Sequence, residues 1–243
     1  MSIISDEFLA MLLQTDRTSE WFVPKFGPKN FRISIGILFL PYTAIVTCFA
    51  VLGSISGDLE IGRIIAISVI YFLALGVSAH LLDAVGGKTK PWGKLPKRKI
   101  WLISMSSLGF AFAIGLYFAF LDSPLLFPIG IAEGFFLFAY NLEWFGGKFH
   151  NKITTILSWG VLPVFAGSAI QTNSIGVETL IISGITALIT YVLIVNTRPY
   201  KILKQNNGNV NEIKRRELLL KLLPICVIVG TVLFFIIKQY NLL

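Results

Sequence analysis

Seven long apolar runs constrain this chain more than any other feature. They fall at about 33–55, 61–82, 100–121, 125–145, 153–170, 177–195 and 218–237. Each comes close to the roughly 20 apolar residues that a helix needs to cross the hydrocarbon of a bilayer. Lipid offers no partner for a backbone N–H or C=O, so runs of this kind must close their hydrogen bonds within helices. Composition agrees: of 243 residues, 55% are hydrophobic and only 14% charged, with a mean hydropathy of +0.75, unlike an ordinary soluble domain. The expected fold is all-α: a polytopic membrane helix bundle of about seven transmembrane helices, forming one integral membrane domain over 1–243. Residues 1–30 read as a cytoplasmic or interfacial lead-in. The polar stretch "QNNGNVNE" at 205–212 reads as a flexible cytoplasmic linker.

The start of the chain does not read as a secretory signal, because Asp6 and Glu7 stand where such a signal carries positive charge. The apolar piece at 8–13 is too short to span, and an interfacial helix is the favoured reading. Cys48 and Cys226 both lie inside apolar runs, without metal-binding spacing, and read as small packing residues. Pro41, Pro163 and Pro224 lie within spans, where a proline kinks a helix and frees a carbonyl.

Charge then sets the orientation. The connections alternate between acidic ("SGDLEIG", "LDSP", "QTNSIGVE") and basic ("GGKTKPWGKLPKRK", "GGKFHNK", "NTRPYKILKQNNGNVNEIKRRE"). The positive-inside rule puts the basic loops and the N-terminus in the cytoplasm and the C-terminus outside, in a cell membrane. The net charge of +8 is therefore largely topogenic, and nucleic acid is not an expected partner.

Ionisable residues are costly inside a bilayer and usually face a cavity or a partner. The second run ends with His80 and Asp83, on one helical face. The fourth contains Glu133 and ends with Tyr140, Asn141 and Glu143; the sixth ends with Asn196, Arg198 and Lys201. All but Glu133 lie near the cytoplasmic ends of their runs, so a central cavity open to the cytoplasm is expected, ringed by Lys88, Lys90, Lys94, Lys148 and Arg198. Carboxylates hold Mg²⁺, Lys and Arg neutralise phosphate oxygens, and apolar walls hold a lipid tail. The combination suits a lipid diphosphate.

Here the sequence resembles the UbiA superfamily of intramembrane prenyltransferases, over most of its length. The superfamily's first motif is Asn-Asp-x-x-Asp with a further Asp, followed by an Arg-Pro segment. "AHLLD" fills its first part: Ala79 stands for Asn, His80 for the first Asp, Asp83 for the second, and Gly87 near the third. In "TKPWGKLPKRK", Lys90 stands for Arg and Pro91 matches. Tyr140 and Lys148 fit the superfamily's tyrosine and basic stretch, and "ILSWGVLPVFAGSAI" resembles its fifth helix, with Pro163 and Gly167 in place. The second aspartate motif is absent: "NTRPYKILKQNNG" holds no acid, only Asn196 and Arg198 in its neighbourhood. The superfamily also has more helices than the seven read here.

The resemblance implies transfer of a prenyl group from an isoprenoid diphosphate to an acceptor, with Mg²⁺ at the diphosphate. It implies Asp83, His80 and Glu133 as catalytic residues and Asp83, Glu133 and Glu143 as metal ligands. Lys88, Lys90, Lys94, Lys148, Arg198, Tyr140 and Asn141 would bind the diphosphate. Three outcomes stay open for the missing motif: Glu133 or Glu143 replaces its carboxylates, Lys and Arg hold the diphosphate, or the reaction is lost. The alternatives are a non-catalytic isoprenoid-lipid binder or scaffold, and a small transporter relaying protons through His80, Asp83 and Glu133.

Overall fold

The computed structural model describes residues 17–57, 59–86, 92–93 and 95–240. Lys88, Lys90 and Lys94, Gly87 and Pro91, and the apolar piece at 8–13 lie outside them. The described residues form helices and no strand. Six helical segments are long and apolar enough to cross a membrane: Lys29–Ile55, Ile61–Gly86 (α3), Lys97–Leu121 (α4), Lys152–Thr172 (α6), Val177–Gln205 (α7) and Val210–Gln239 (α8). The first is broken into Lys29–Ile37 (α1) and Leu40–Ile55 (α2). The fourth apolar run forms the shorter Leu126–Asn141 (α5). It stops there because Glu143, Phe145, Gly146 and Gly147 all take positive φ, and Gly does so without steric cost.

Segment 205–212 spans the end of α7, a tight polar turn and the start of α8. Asn209 caps α8 by accepting from the N–H groups of Asn211 and Glu212. The stretch "NTRPYK" lies inside α7, which runs through Pro199, so Arg198 and Lys201 project from a helix.

The break in the first span shapes one end of the bundle. Pro41 favours a helix start and lacks an N–H, and Phe39 is left-handed (φ 44, ψ 47). The N–H groups of Tyr42 and Thr43 both go to the Phe39 carbonyl, leaving that of Leu38 without a helical donor. Thr43 Oγ1 donates to it at 2.7 Å, and His80 Nδ1 reaches it at 3.0 Å. Residues 17–28 fold over this end. Trp21 and Phe22 pack on Tyr42, and Phe22 also on Phe39; Trp92 meets Phe39 from the α3–α4 connection. Arg32 ties the segment down through the carbonyls of Pro24 and Thr18, while Lys204 and Tyr200 on α7 hold Glu20. We call this the capped end.

Arg63 organises the opposite end. Its guanidinium bonds Glu60, grips Asp122 through both carboxylate oxygens (2.9 and 2.6 Å), and also reaches Ser123 and the Ile170 carbonyl. One buried side chain thus fastens the start of α3, the α4–α5 turn and the end of α6. Bidentate Arg–carboxylate pairs are among the stronger polar contacts.

Close backbone contact holds the middle. A Cβ on Gly53 of α2 would collide with the Val164 carbonyl of α6, and one on Gly167 with the Ala50 carbonyl. Small residues at facing positions let membrane helices approach this closely.

Two predictions follow from this packing. Gly167→Val should destabilise the protein in detergent by about 2–3 kcal/mol, whereas Gly184→Ala, whose Cβ meets open space, should be neutral or slightly stabilising; thermal melts compare them. Arg63 and then Ser123, by hydrogen bonding, hold the Asp122 carboxyl down at about 2. A carboxyl depressed in the fold contributes stability above its unfolded value, lost as pH falls through about 2. Acidification from pH 5 to pH 2 should therefore lower the melting temperature of the native chain more than that of Arg63→Met.

Candidate functional site

Two of the membrane helices leave regular α geometry. Phe72–Ala79 in α3 and Ile156–Val161 in α6 are π-helical, a local widening that recurs at functional sites. Widened turns free carbonyls, and neighbouring helices supply donors. Ser107 of α4 donates to the Leu73 carbonyl at 2.8 Å, Ser104 to that of Ser78 at 3.1 Å, and Thr186 of α7 to that of Gly160. These hydroxyls answer the demand that lipid places on every backbone group.

Between α3, α4, α5 and α6 lies a chamber of roughly 200 Å³. Its walls are mostly aliphatic and aromatic, including Val46, Ile67, Leu108, Phe112, Leu116, Ile131, Phe136 and Trp159. Phe112, Leu116 and Ile131 are also exposed on the outer surface of α4 and α5, so the chamber reaches the lipid-facing seam between them. Polar groups enter it at two levels. Midway, Tyr71 of α3 donates to Glu133 Oε1 of α5 at 2.8 Å. Toward the capped end stand His80, Tyr140 and Asn141.

Four of the sequence-predicted residues therefore share one chamber: His80, Glu133, Tyr140 and Asn141. Asp83 does not line it. It lies just beyond, within electrostatic reach of His80, Tyr140, Arg17 and Lys201. A Cβ at Gly86 would touch the Asn141 carbonyl, and this close approach of α3 to α5 brings Asp83 beside Tyr140. Arg198 meets the Tyr140 hydroxyl, as does Thr155. Lys148 is exposed on the α5–α6 connection, and Glu143 sits in the same turn, at φ 51. Asn196 bonds Arg216 of α8 and the Val192 carbonyl of its own helix, a link between helices away from the chamber. Among the described residues, no three His, Cys, Asp or Glu side chains gather where one ion would meet them. Mg²⁺ usually takes one or two carboxylates beside water and phosphate oxygens, and Asp83 lies within electrostatic reach of the cations Arg17 and Lys201.

His80 makes a structural contact. The Nδ1 atom faces the carbonyls of Leu38 (3.0 Å) and Gly76 (3.4 Å). Two acceptors require a proton on that nitrogen, so the ring donates across the break in the first span. Phe39 packs on one side (4.9 Å between centroids) and Trp159 meets it edge-on.

No protein-family model, curated protein or solved structure matches this chain.

Sequence reasoning missed three members of the site. Arg17 comes from the capping segment. Burial lowers its affinity for a proton from the ordinary arginine value, while Asp83, Glu20 and Tyr42 oppose that. Lys201 stood out as a polar residue near a helix end, but only the helical course of α7 turns it toward Asp83. Tyr71, partner of Glu133, sits in an unremarkable aromatic position of the second run. None carries a motif; each is brought in by the break, the π turns or the length of α7.

An acid at position 80 should therefore destabilise the fold. In His80→Asp, carboxylate oxygens would face the Leu38 and Gly76 carbonyls, at a cost of about 1–3 kcal/mol. His80→Asp should melt no higher than His80→Ala, and both below the native chain.

Proposed function

We propose that the chain binds an isoprenoid lipid with a phosphate or diphosphate head group, its tail in the chamber and its head among Arg17, Lys201 and Arg198. The observation that carries this is the double position of His80 and Tyr140: both line the apolar chamber, and both lie within electrostatic reach of Asp83 and a cation, Arg17 for His80 and Arg198 for Tyr140. A tail and an anionic head would thus find their environments at adjoining depths. Arg and Lys suit phosphate oxygens in different ways, as a flat fork and as a point charge.

Orientation supports the same reading. The capped end carries the basic turn at 146–152 and the basic ends of α7 and α8, and the Arg63 end carries Glu60, Asp122 and Glu178. By the positive-inside rule the capped end faces the cytoplasm, where soluble prenyl diphosphates are presented.

As its activity we propose prenyl transfer, supported by the likeness of 79–91 and 140–170 to the UbiA prenyltransferases. The allylic carbon–oxygen bond breaks, the electron pair leaves with the diphosphate, an electron pair of the acceptor bonds to the carbocation, and the acceptor's proton passes to the released diphosphate. Arg17, Lys201 and Arg198 would stabilise the charge on the departing diphosphate. No step is routed through Mg²⁺. The second reading is binding without turnover, supported by the lack of an acidic residue in "NTRPYKILKQNNG", where the second aspartate motif would stand.

Purified protein with labelled geranylgeranyl diphosphate separates the two. Binding is expected, and Arg17→Gln and Lys201→Gln should each weaken it about tenfold or more. Release of diphosphate supports transfer, and retention of intact lipid supports the binder. Absence of binding for every prenyl diphosphate tried overturns the proposal.

A further inference from the structure

The Glu133–Tyr71 pair has a task that the head-group reading leaves unexplained. Glu133 lies seven residues before Tyr140 on α5, about 10 Å farther along the helix axis and away from the charged cluster. A carboxyl group at this depth is costly in a membrane protein, whether ionised or neutral. One oxygen, Oε1, accepts from the Tyr71 hydroxyl at 2.8 Å. Among the described residues no donor reaches the other, Oε2, and Glu133 is a wall residue of the chamber. Glu133 is only partly buried and that oxygen is not among the sealed polar atoms lacking a partner, so it keeps access to space beside the chamber wall. Tyr71 cannot supply it, because its single hydroxyl proton is already committed to Oε1.

The surroundings define what would complete the pair. Ile67, Ile70, Phe112, Gly130 and Gly134 line the same part of the chamber. They offer no competing polar group, and a Cβ at Gly134 would crowd the Phe112 ring. A ligand here therefore needs an apolar body and one hydroxyl at mid-membrane depth, which donates to Oε2 of an ionised carboxylate or accepts from the O–H of a protonated one.

We infer that Glu133 and Tyr71 form a second binding site in the chamber, which selects a lipid-soluble molecule carrying a hydroxyl group and receives that hydroxyl at Glu133 Oε2. The site is distinct from the head-group cluster and takes no phosphate. If prenyl transfer occurs, this site sorts hydroxyl-bearing molecules from hydrocarbons within the membrane. Its existence does not depend on that reaction, because it rests on the wall of the chamber and not on Arg17, Lys201 or Arg198.

The test uses two probes that differ only in the hydroxyl: 11-bromoundecan-1-ol and 1-bromoundecane. Bromine quenches tryptophan on contact, and Trp159 lines the chamber. The signal is the quenching seen in the full chain in detergent minus that seen in Trp159→Phe. The alcohol should reach half-maximal quenching at about a tenfold lower mole fraction than the alkane, the discrimination expected of one hydrogen bond to a buried carboxyl. Glu133→Leu should abolish that preference while still admitting the alkane, which shows that the chamber remains folded. Glu133→Gln, whose amide oxygen still accepts, should keep most of it. Equal quenching by both probes in the native chain, or a preference that survives Glu133→Leu, overturns the inference. Neither probe carries phosphate, so failure here leaves the head-group proposal standing, and the loss of diphosphate binding in Arg17→Gln leaves this result standing.

Discussion

One carbonyl oxygen organises the capped end of the molecule. When the first span breaks ahead of Pro41, the Leu38 carbonyl loses its helical N–H, and a buried carbonyl needs another donor. Thr43 and His80 take its place. That contact pins the end of α3 against the α1–α2 break, sets the protonated nitrogen of His80, and packs the ring against Phe39 and near Trp159. Asp83 follows one turn later, so its position beside Arg17, Lys201 and Tyr140 is a consequence of how His80 is held. His80 therefore builds the frame in which Asp83 sits.

The same rule explains the chamber. π turns in α3 and α6 displace side chains from regular packing and open space between helices, but each frees carbonyls that lipid does not satisfy. Ser104, Ser107 and Thr186 satisfy them from adjoining helices. At the other end, the Arg63 clasp and the Gly53–Gly167 contact hold the helices rigidly enough for a cavity to persist. A tight waist and two fastened ends let the wall between α3 and α5 remain loosely filled.

The membrane class and the approximate limits of six spanning helices were legible in the sequence, because a bilayer imposes one period and one length on every span; the fourth run, read as a seventh span, forms the shorter α5. The gathering of His80, Glu133, Tyr140 and Asn141 was legible too, since polar residues within apolar runs have few places to go. Harder to read was the local geometry. Pro41 marked a kink, but nothing marked Phe39 as left-handed or His80 as the donor that repairs the break. The continuation of α7 through Pro199 hid Lys201 in what reads as a loop. Arg17 and Tyr71 joined the site through tertiary contacts that leave no pattern along the chain.

The chamber's apolar wall runs toward Arg17, Lys201 and Arg198, where we propose that an anionic head group binds. The most direct test is mass spectrometry of the lipid retained by the protein purified in mild detergent from its own membranes. Enrichment of an isoprenoid phosphate or diphosphate over its abundance in the surrounding membrane is the predicted result, with that enrichment lost when Arg17 and Lys201 are both replaced by Gln. Recovery of bulk phospholipid alone, in the same proportions as the membrane, would contradict it.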